Sequence, residues 1–156
     1  MNDENVVIVV IVPIVVIVII VIIVVIAGNL ATTSTFMKSY KDLEIHQIAF
    51  ELAAKIYSKS LELPNHDKFE IGSQIRQSSQ AIKDAIAEGY GRKKYKADFI
   101  KFLIYAHASQ LEAKSQAEFI FHIHQIDSWK HIAEELDNLG IKINNFINYV
   151  EKNWKT

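Results

Sequence analysis

Cationic side chains cluster after a pair of glycines near the middle of the chain. They are Arg92, Lys93, Lys94, Lys96 and Lys101. Asp98 is the only acid between positions 89 and 101, and Tyr90 and Tyr95 lie in the same segment. Lysine and arginine bind phosphates, and tyrosine rings stack on nucleobases. The segment therefore predicts a surface that binds nucleic acid.

A simpler interpretation of the same segment is a solvated turn followed by the first turns of a helix. Cations at the N-terminus of a helix oppose its macrodipole, so helix stability does not explain why they lie there. Both interpretations stay open at the level of the sequence. They differ in one measurable property, because phosphate binding must weaken as the salt concentration rises.

The two glycines of this stretch, Gly89 and Gly91, predict the end of a helix. Glycine adopts positive φ at little steric cost, and that conformation commonly ends a helix. Glu88 stands directly before them and is predicted to be structural, as an acid paired with a cation. Arg76 is more than three turns away on the same predicted helix, which leaves Arg92 or an adjacent subunit as the partner.

The histidines give little indication of a metal site. His122 and His124 are two residues apart on a predicted helix and point to different sides of it. A di-iron bundle needs Glu-x-x-His on two helices, and neither that motif nor His-Glu-x-x-His occurs in the sequence. We therefore expect no metal and no cofactor.

Nucleophilic catalysis is poorly supported as well. The chain has no cysteine. Its serines within predicted helices include Ser73, Ser78, Ser79, Ser109 and Ser115. A nucleophilic serine normally needs a strand–turn–helix elbow, and none of these has one. Gly-Tyr-Gly at 89–91 lacks the Gly-x-x-x-x-Gly-Lys pattern of a phosphate loop. We expect that the protein is not an enzyme.

An apolar N-terminal run dominates the composition of this 156-residue chain. Every residue from Val6 to Ile26 is valine or isoleucine except Pro13, which inflates the apolar fraction of 50%. We divide the chain into an N-terminal extension, residues 1–36, and one domain, residues 37–156, long enough for a hydrophobic core. All 17 lysines and arginines lie in the domain, while the whole chain carries a net charge of −1. The distribution of charge along the domain is therefore more informative about a nucleic-acid partner than the net charge is.

The Val/Ile run has the length that a helix needs to cross a bilayer. Two acids precede it and Lys38 and Lys41 follow it, so an anchored domain would lie in the cytoplasm. The near-random series of only two residue types is also typical of translated repetitive DNA. On that interpretation Met37 is the biological start. Both alternatives predict a cytoplasmic domain.

Apolar residues of the domain recur at steps of three and four, which predicts four long helices. The predicted ranges are roughly 42–63, 67–89, 95–125 and 127–153. Pro64 and Asn65 separate the first two helices, and Asp67 with Glu70 is predicted to cap the second. Long helices with short connections favour an all-α fold, an antiparallel up-down-up-down four-helix bundle.

One apolar stripe on each predicted helix supplies the core. On the first helix it is Ile45, Ile48, Ala49, Leu52, Ile56 and Tyr57, and on the second it is Ile75, Ser79, Ile82 and Ile86. On the third it is Phe99, Phe102, Leu103, Ala106, Gln110, Ala113, Ala117, Ile120 and His124. On the fourth it is Trp129, Ile132, Leu136, Leu139, Ile143, Phe146, Ile147 and Val150.

Four motifs recur in an order that resembles a known bacterial family. They are YKDLEIHQIAFELAAKIY at 40–57, SQIR at 73–76, IAEGYGR at 86–92 and F-x-x-F-L-x-x-A-x-x-S-x-x-E at 99–112. Over about residues 40–150 the chain resembles the four helix bundle proteins first noted as products of intervening sequences in 23S ribosomal RNA genes. The resemblance implies a ring-shaped homo-oligomer, usually a pentamer. For most members it implies no established activity.

The resemblance also implies kinship with the accessory protein of diversity-generating retroelements, which looks like a nucleic-acid-binding partner of a reverse transcriptase. Family members usually carry two adjacent basic residues after SQI, where this chain has Arg76 and Gln77. Arg76 therefore joins the candidate nucleic-acid-binding residues, without the basic neighbour. We expect a non-enzymatic, oligomeric protein that binds RNA or DNA or acts as an adaptor for a protein partner. The alternative is a structural or protein-interaction bundle without nucleic-acid binding, tethered to a membrane if residues 6–27 span one.

Overall fold

The structure is a computed structural model that describes residues 39–155. A 3₁₀ turn, Tyr40–Asp42, precedes the helices. The helices are α1 (Glu44–Leu61), α2 (Asn65–Phe69), α3 (Ile71–Gly91), α4 (Lys96–His124) and α5 (Asp127–Asn153). Between positions 39 and 155 no residue belongs to a strand. The predicted all-α four-helix bundle is confirmed: α1, α3, α4 and α5 are its long helices.

The long helices enclose one hydrophobic core. Trp129 of α5 and Phe99 of α4 are the largest fully buried side chains. The predicted stripes of α3, α4 and α5 are buried or half-buried throughout. On α1, Tyr57 was predicted as core and is instead exposed. Ile56 faces the core, and the next residue of a helix is rotated by about 100° away from it.

Two exposed ion pairs show the relative direction of α1 and α5. Glu44 contacts Lys142 at 2.8 Å, and Lys55, further along α1, contacts Glu135, earlier on α5. The two helices therefore run in opposite directions. Both α1 and α4 pack against α3 and α5, so α1 and α4 lie diagonally across the bundle.

The second predicted helix is interrupted at Glu70. This residue has φ −94° and ψ −93°, outside the helical range, and it separates α2 from α3. The predicted capping role of Asp67 is wrong, because Asp67 lies inside α2 and its Oδ2 lies 2.9 Å from Nε2 of His124. The break was missed because the predicted apolar stripe starts only at Ile75 and gives no information on the residues before it.

The prediction that Gly89 and Gly91 end α3 by adopting positive φ is wrong. Within residues 39–155 no glycine has positive φ, and both glycines lie inside α3. Gly89 provides space instead: a Cβ built on it would lie 2.8 Å from Cβ of Phe102 and 3.2 Å from the ring of Phe99. The chain leaves the helix at Arg92, whose amide still donates to the carbonyl of Gly89.

Gly140 of α5 makes room for a buried polar side chain. Gln110 of α4 is buried, and its Nε2 donates to the backbone oxygen of Leu136 at 2.8 Å. A Cβ at Gly140 would collide with the amide group of Gln110. The glycine therefore lets a side-chain amide link α4 to α5 inside the core.

The predicted N-terminal extension, its boundary at Met37 and the Val/Ile run lie outside the described residues. Among the helices between positions 39 and 155, none combines the length and the apolar character required to cross a membrane.

Candidate nucleic-acid interface

The turn between α3 and α4 holds the cations at one end of the bundle. The amide of Tyr95 donates to the carbonyl of Arg92 at 2.8 Å and closes this turn. Beneath it, the buried ring of Phe99 meets the rings of Phe146 and Trp154 at centroid distances of 6.0 Å and 5.1 Å. This aromatic cluster fixes the start of α4 against the end of α5. The cations therefore extend from a rigid base.

Arg92 is paired on one side and stacked on the other. Its Nη2 lies 2.7 Å from Oε1 of Glu88, so the acid pairs with Arg92 within the same chain. Both side chains are about half exposed, and an exposed pair of this kind contributes at most about 1 kcal/mol. The guanidinium carbon of Arg92 lies 4.9 Å from the ring centroid of Phe102.

Two rings of α4 connect Arg92 to Lys101. Phe102 meets Tyr105 edge-on at a centroid distance of 5.6 Å. Nζ of Lys101 lies 5.8 Å from the centroid of Tyr105, and Tyr105 is 48% exposed. These four residues form a continuous cation–aromatic surface, which we call the Tyr105 surface.

Sequence reasoning missed Tyr105 and assigned Phe102 only to the core. Phe102 is half-buried: its Cβ lies against Gly89 of α3, while its ring belongs to the Tyr105 surface. Lys101 and Tyr105 are four residues apart, and Phe102 and Tyr105 are three apart, spacings that place side chains side by side on a helix. That spacing is the signal from which this surface could have been predicted.

Tyr90 does not serve the stacking role predicted for it. It is only 7% exposed, and Nζ of Lys93 lies 3.5 Å from its ring centroid. A nucleobase has no access to a ring that is buried and covered in this way. Tyr90 is a core residue that positions the half-buried side chain of Lys93.

Tyr95 and Lys94 lie on the outer side of the turn. Tyr95 is 64% exposed, and Nζ of Lys94 lies 5.9 Å from its ring centroid. Of the two predicted stacking residues, Tyr95 is the one that a ligand can reach.

Lys96 has a partner in the fold. Its Nζ donates to the backbone oxygen of Glu151 at 2.5 Å, in the last turn of α5. A cation at the C-terminus of a helix complements the helix macrodipole. The position of Lys96 is therefore explained by the stability of α5.

Arg76 lies away from the other candidates. About 24 Å of helix rise separates it from Arg92 along α3. Its Nη1 donates to Oγ of Ser60 at 2.9 Å, and both Nη atoms lie 3.3 Å from the carbonyl oxygen of Lys68. Arg76 therefore holds α2 against α1 and α3.

Neighbouring carboxylates do not neutralise the lysines at this end of the bundle. Among the five cations between positions 92 and 101, and within the part of the chain that the structure describes, Arg92 alone forms an ion pair. Lys94 and Lys101 are exposed, and each lies close to an exposed tyrosine. Their charge is accessible to an anionic ligand.

A second polar region lies between the 3₁₀ turn, α1 and α3. It contains a cavity of about 510 Å³ whose lining includes His46 and Phe50. The buried ring of His46 lies 4.7 Å from that of Tyr40 and 6.4 Å from that of Phe50. Burial, and then the charge of Lys83, lower the pKa of His46 below its ordinary value. Most of its lining belongs to the motif at 40–57, for which the sequence predicted no binding role.

The described residues are not arranged to bind a metal ion. No group of three histidine, aspartate or glutamate side chains between positions 39 and 155 is arranged to hold a metal ion. His124 is half-buried beside Asp67, whereas His122 is exposed.

The fold and the Tyr105 surface define an all-helical bundle protein with an exposed cation–aromatic end. A family model described as 23S rRNA-intervening sequence protein matches residues 41–148. The chain belongs to the 23S rRNA-intervening sequence protein family, which confirms the family predicted from its motifs.

One solved structure is similar to the chain over most of the bundle. It is a protein of unknown function from the S23 ribosomal protein family of Bacteroides thetaiotaomicron VPI-5482. The two sequences are 22% identical, the match covers 67% of this chain and 95% of that one, and the TM-score is 0.61. This likeness shows the fold. A comparison with curated proteins gave no match.

Proposed function

We propose that the protein binds nucleic acid through the end of the bundle that carries Lys94, Lys101 and the Tyr105 surface, and that it does so without catalysing a reaction. The observation that carries the proposal is the pairing of exposed rings with cations that have no carboxylate partner among the described residues. Cations can contact phosphates while the rings contact bases. The proposed place of action is the cytoplasm.

The test is the salt dependence of binding to a short fluorescein-labelled RNA, followed by fluorescence anisotropy. Affinity should fall steeply between about 50 and 200 mM salt, because bound phosphates release counterions. The double variant Lys94→Gln with Lys101→Gln should bind more weakly. Its slope of log K against log salt should be shallower by about 1 for each phosphate that the variant no longer neutralises.

The matched control removes the same charge at the opposite end of the bundle. Lys68 in α2 and Lys130 near the start of α5 take part in no ion pair with a described residue. The double variant Lys68→Gln with Lys130→Gln should keep the affinity and slope of the wild type. Equal reductions of affinity in the two double variants would show that net charge alone attracts the RNA.

We also propose that the protein forms a homo-oligomer. On the face opposite its core residues, α4 carries an exposed stripe of apolar and small residues: Ile104, Ala108, Leu111, Ser115 and Phe119. On α1 a second exposed stripe consists of Phe50, Ala54, Tyr57 and Leu61. We call these the α4 stripe and the α1 stripe. Exposed apolar patches of this kind are typical of protein–protein contacts.

The positions of the two stripes favour a ring. Because α1 and α4 are diagonal in the bundle, their outer faces point in different directions. An interface in which the α1 stripe of one copy meets the α4 stripe of the next is heterologous, and such an interface forms a ring when the rotation between successive copies closes. The size we propose is the pentamer implied by the resemblance. The same stripes favour the second candidate function, a protein-interaction bundle without nucleic-acid binding.

A further inference from the structure

We infer that the nucleic acid bound at this end of the bundle is single-stranded, with unpaired bases stacking on Tyr105 and Tyr95. The inference rests on the proposed function and adds to it the form of polynucleotide that the site selects. It is carried by exposed rings paired with lysines, a feature that phosphate binding alone does not require.

Tyr105 presents a ring that is both accessible and held in place. It is 48% exposed, and Phe102 supports its edge at a centroid distance of 5.6 Å. Phe102 is in turn half-buried and covered by Arg92. A ring that is already ordered loses little conformational entropy when a base stacks on it. Lys101, 5.8 Å from the ring centroid, lies where it can contact the phosphate of the same nucleotide.

Tyr95 forms a second ring–lysine pair at the start of α4. It is 64% exposed, and Lys94 lies 5.9 Å from its ring centroid. About 15 Å of helix rise separates Tyr95 from Tyr105. This end of the bundle thus offers two separate ring–lysine pairs, each with one group for a base and one for a phosphate.

Double-stranded nucleic acid cannot use these rings in the same way. In a duplex each base is paired and covered by its stacked neighbours, so proteins contact mainly its backbone and groove edges. Stacking on an aromatic side chain requires a base whose face is free, and it occurs at unpaired or splayed nucleotides. A duplex would therefore gain only the lysine contacts at this site.

The experiment compares one labelled RNA strand with the same strand annealed to its complement, at equal salt. We expect the wild type to bind the single strand at least tenfold more tightly than the duplex, in line with measured base–aromatic stacking. The variants Tyr105→Leu and Tyr95→Leu should each weaken single-strand binding about tenfold and leave duplex binding within twofold. Tyr105→Phe, which keeps the ring, should retain the single-strand affinity.

The outcomes separate the inference from the proposed function. Equal affinity for the two RNA forms, with both reduced by the double variant Lys94→Gln with Lys101→Gln, overturns the single-strand preference and keeps nucleic-acid binding. No binding to either RNA overturns both. Thermal unfolding followed by circular dichroism identifies folded variants. If Tyr105→Leu does not fold, the Tyr95→Leu variant, altered at an exposed turn residue, decides the question.

Discussion

His46 lies buried between the rings of Tyr40 and Phe50. Burial opposes its protonated form, and the nearby charge of Lys83 adds to that effect. Lys41 acts in the same direction and Asp84 in the opposite one. The folded protein therefore binds a proton at this position less readily than the unfolded chain does.

The pH dependence of stability follows from that difference. Because the unfolded state binds more protons, the free energy of unfolding should fall as the pH drops below about 6.5, the ordinary pKa of histidine. His46→Phe removes the titrating group and should flatten this part of the curve of melting temperature against pH. His122→Gln, which changes an exposed histidine on α4, is the control and should keep the wild-type curve. A His46→Phe protein that loses stability on acidification as steeply as the wild type would contradict the assignment.

Tyr90 and Tyr95 show that residue type alone does not determine whether a ring is accessible to a ligand. They are five positions apart in one basic segment and were predicted to play the same part. The first lies on the core side of α3 and the second on the outer side of the turn, so the first is buried and the second exposed. Their exposure differs because the chain leaves α3 at Arg92, between the two tyrosines.

At the scale of elements, α4 has apolar residues on opposite faces. Its core residues, such as Phe99 and Ala113, follow the steps of three and four that predicted them. Leu111 and Phe119 of the α4 stripe lie on the other side of the helix and are exposed. The sequence predicted which face of α4 meets the core, but the exposed apolar stripe on the opposite face was missed.

Contact between α3 and α4 gives Gly89 and Gly91, near the end of α3, different roles. A methyl group at Gly89 would press against Cβ of Phe102, whereas a methyl group at Gly91 would meet nothing within 4 Å. Gly89→Ala should therefore destabilise the fold by about 1–3 kcal/mol, the usual cost of overpacking. Gly91→Ala should leave stability unchanged or raise it by up to about 1 kcal/mol, because alanine favours the helix. Urea unfolding measures both, and a Gly89→Ala protein as stable as the wild type would disprove the close contact.

At the scale of the whole molecule, the two exposed stripes determine how copies can associate. A heterologous contact joins the α1 stripe of one copy to the α4 stripe of another, whereas an isologous contact joins a stripe to itself. The two arrangements differ in how they respond to a change on a single stripe. Exposure of Phe50 and Leu111 makes them suitable positions for a charge, since neither is needed for the core.

Mixing two variants distinguishes the arrangements. Phe50→Glu blocks the α1 stripe and Leu111→Glu blocks the α4 stripe, so in a heterologous assembly each variant alone should be monomeric. A mixture should form a one-to-one dimer, because one intact α1 stripe meets one intact α4 stripe. Sedimentation velocity or light scattering after size exclusion measures the masses. Dimers of Phe50→Glu alone would instead indicate that α4 stripes pair with each other.

The sequence by itself determined the helical class, the family and most of the core, because helical periodicity and motif order are local properties. Ile82 and Ile86 could be placed in the core from their spacing alone. Tertiary structure decided that Lys96 caps α5, that Arg76 holds α2 and that Arg92 lies over the ring of Phe102. These roles depend on which side chain of another element lies within a few ångströms. The periodicity of apolar residues along one helix gives no information about distances between elements.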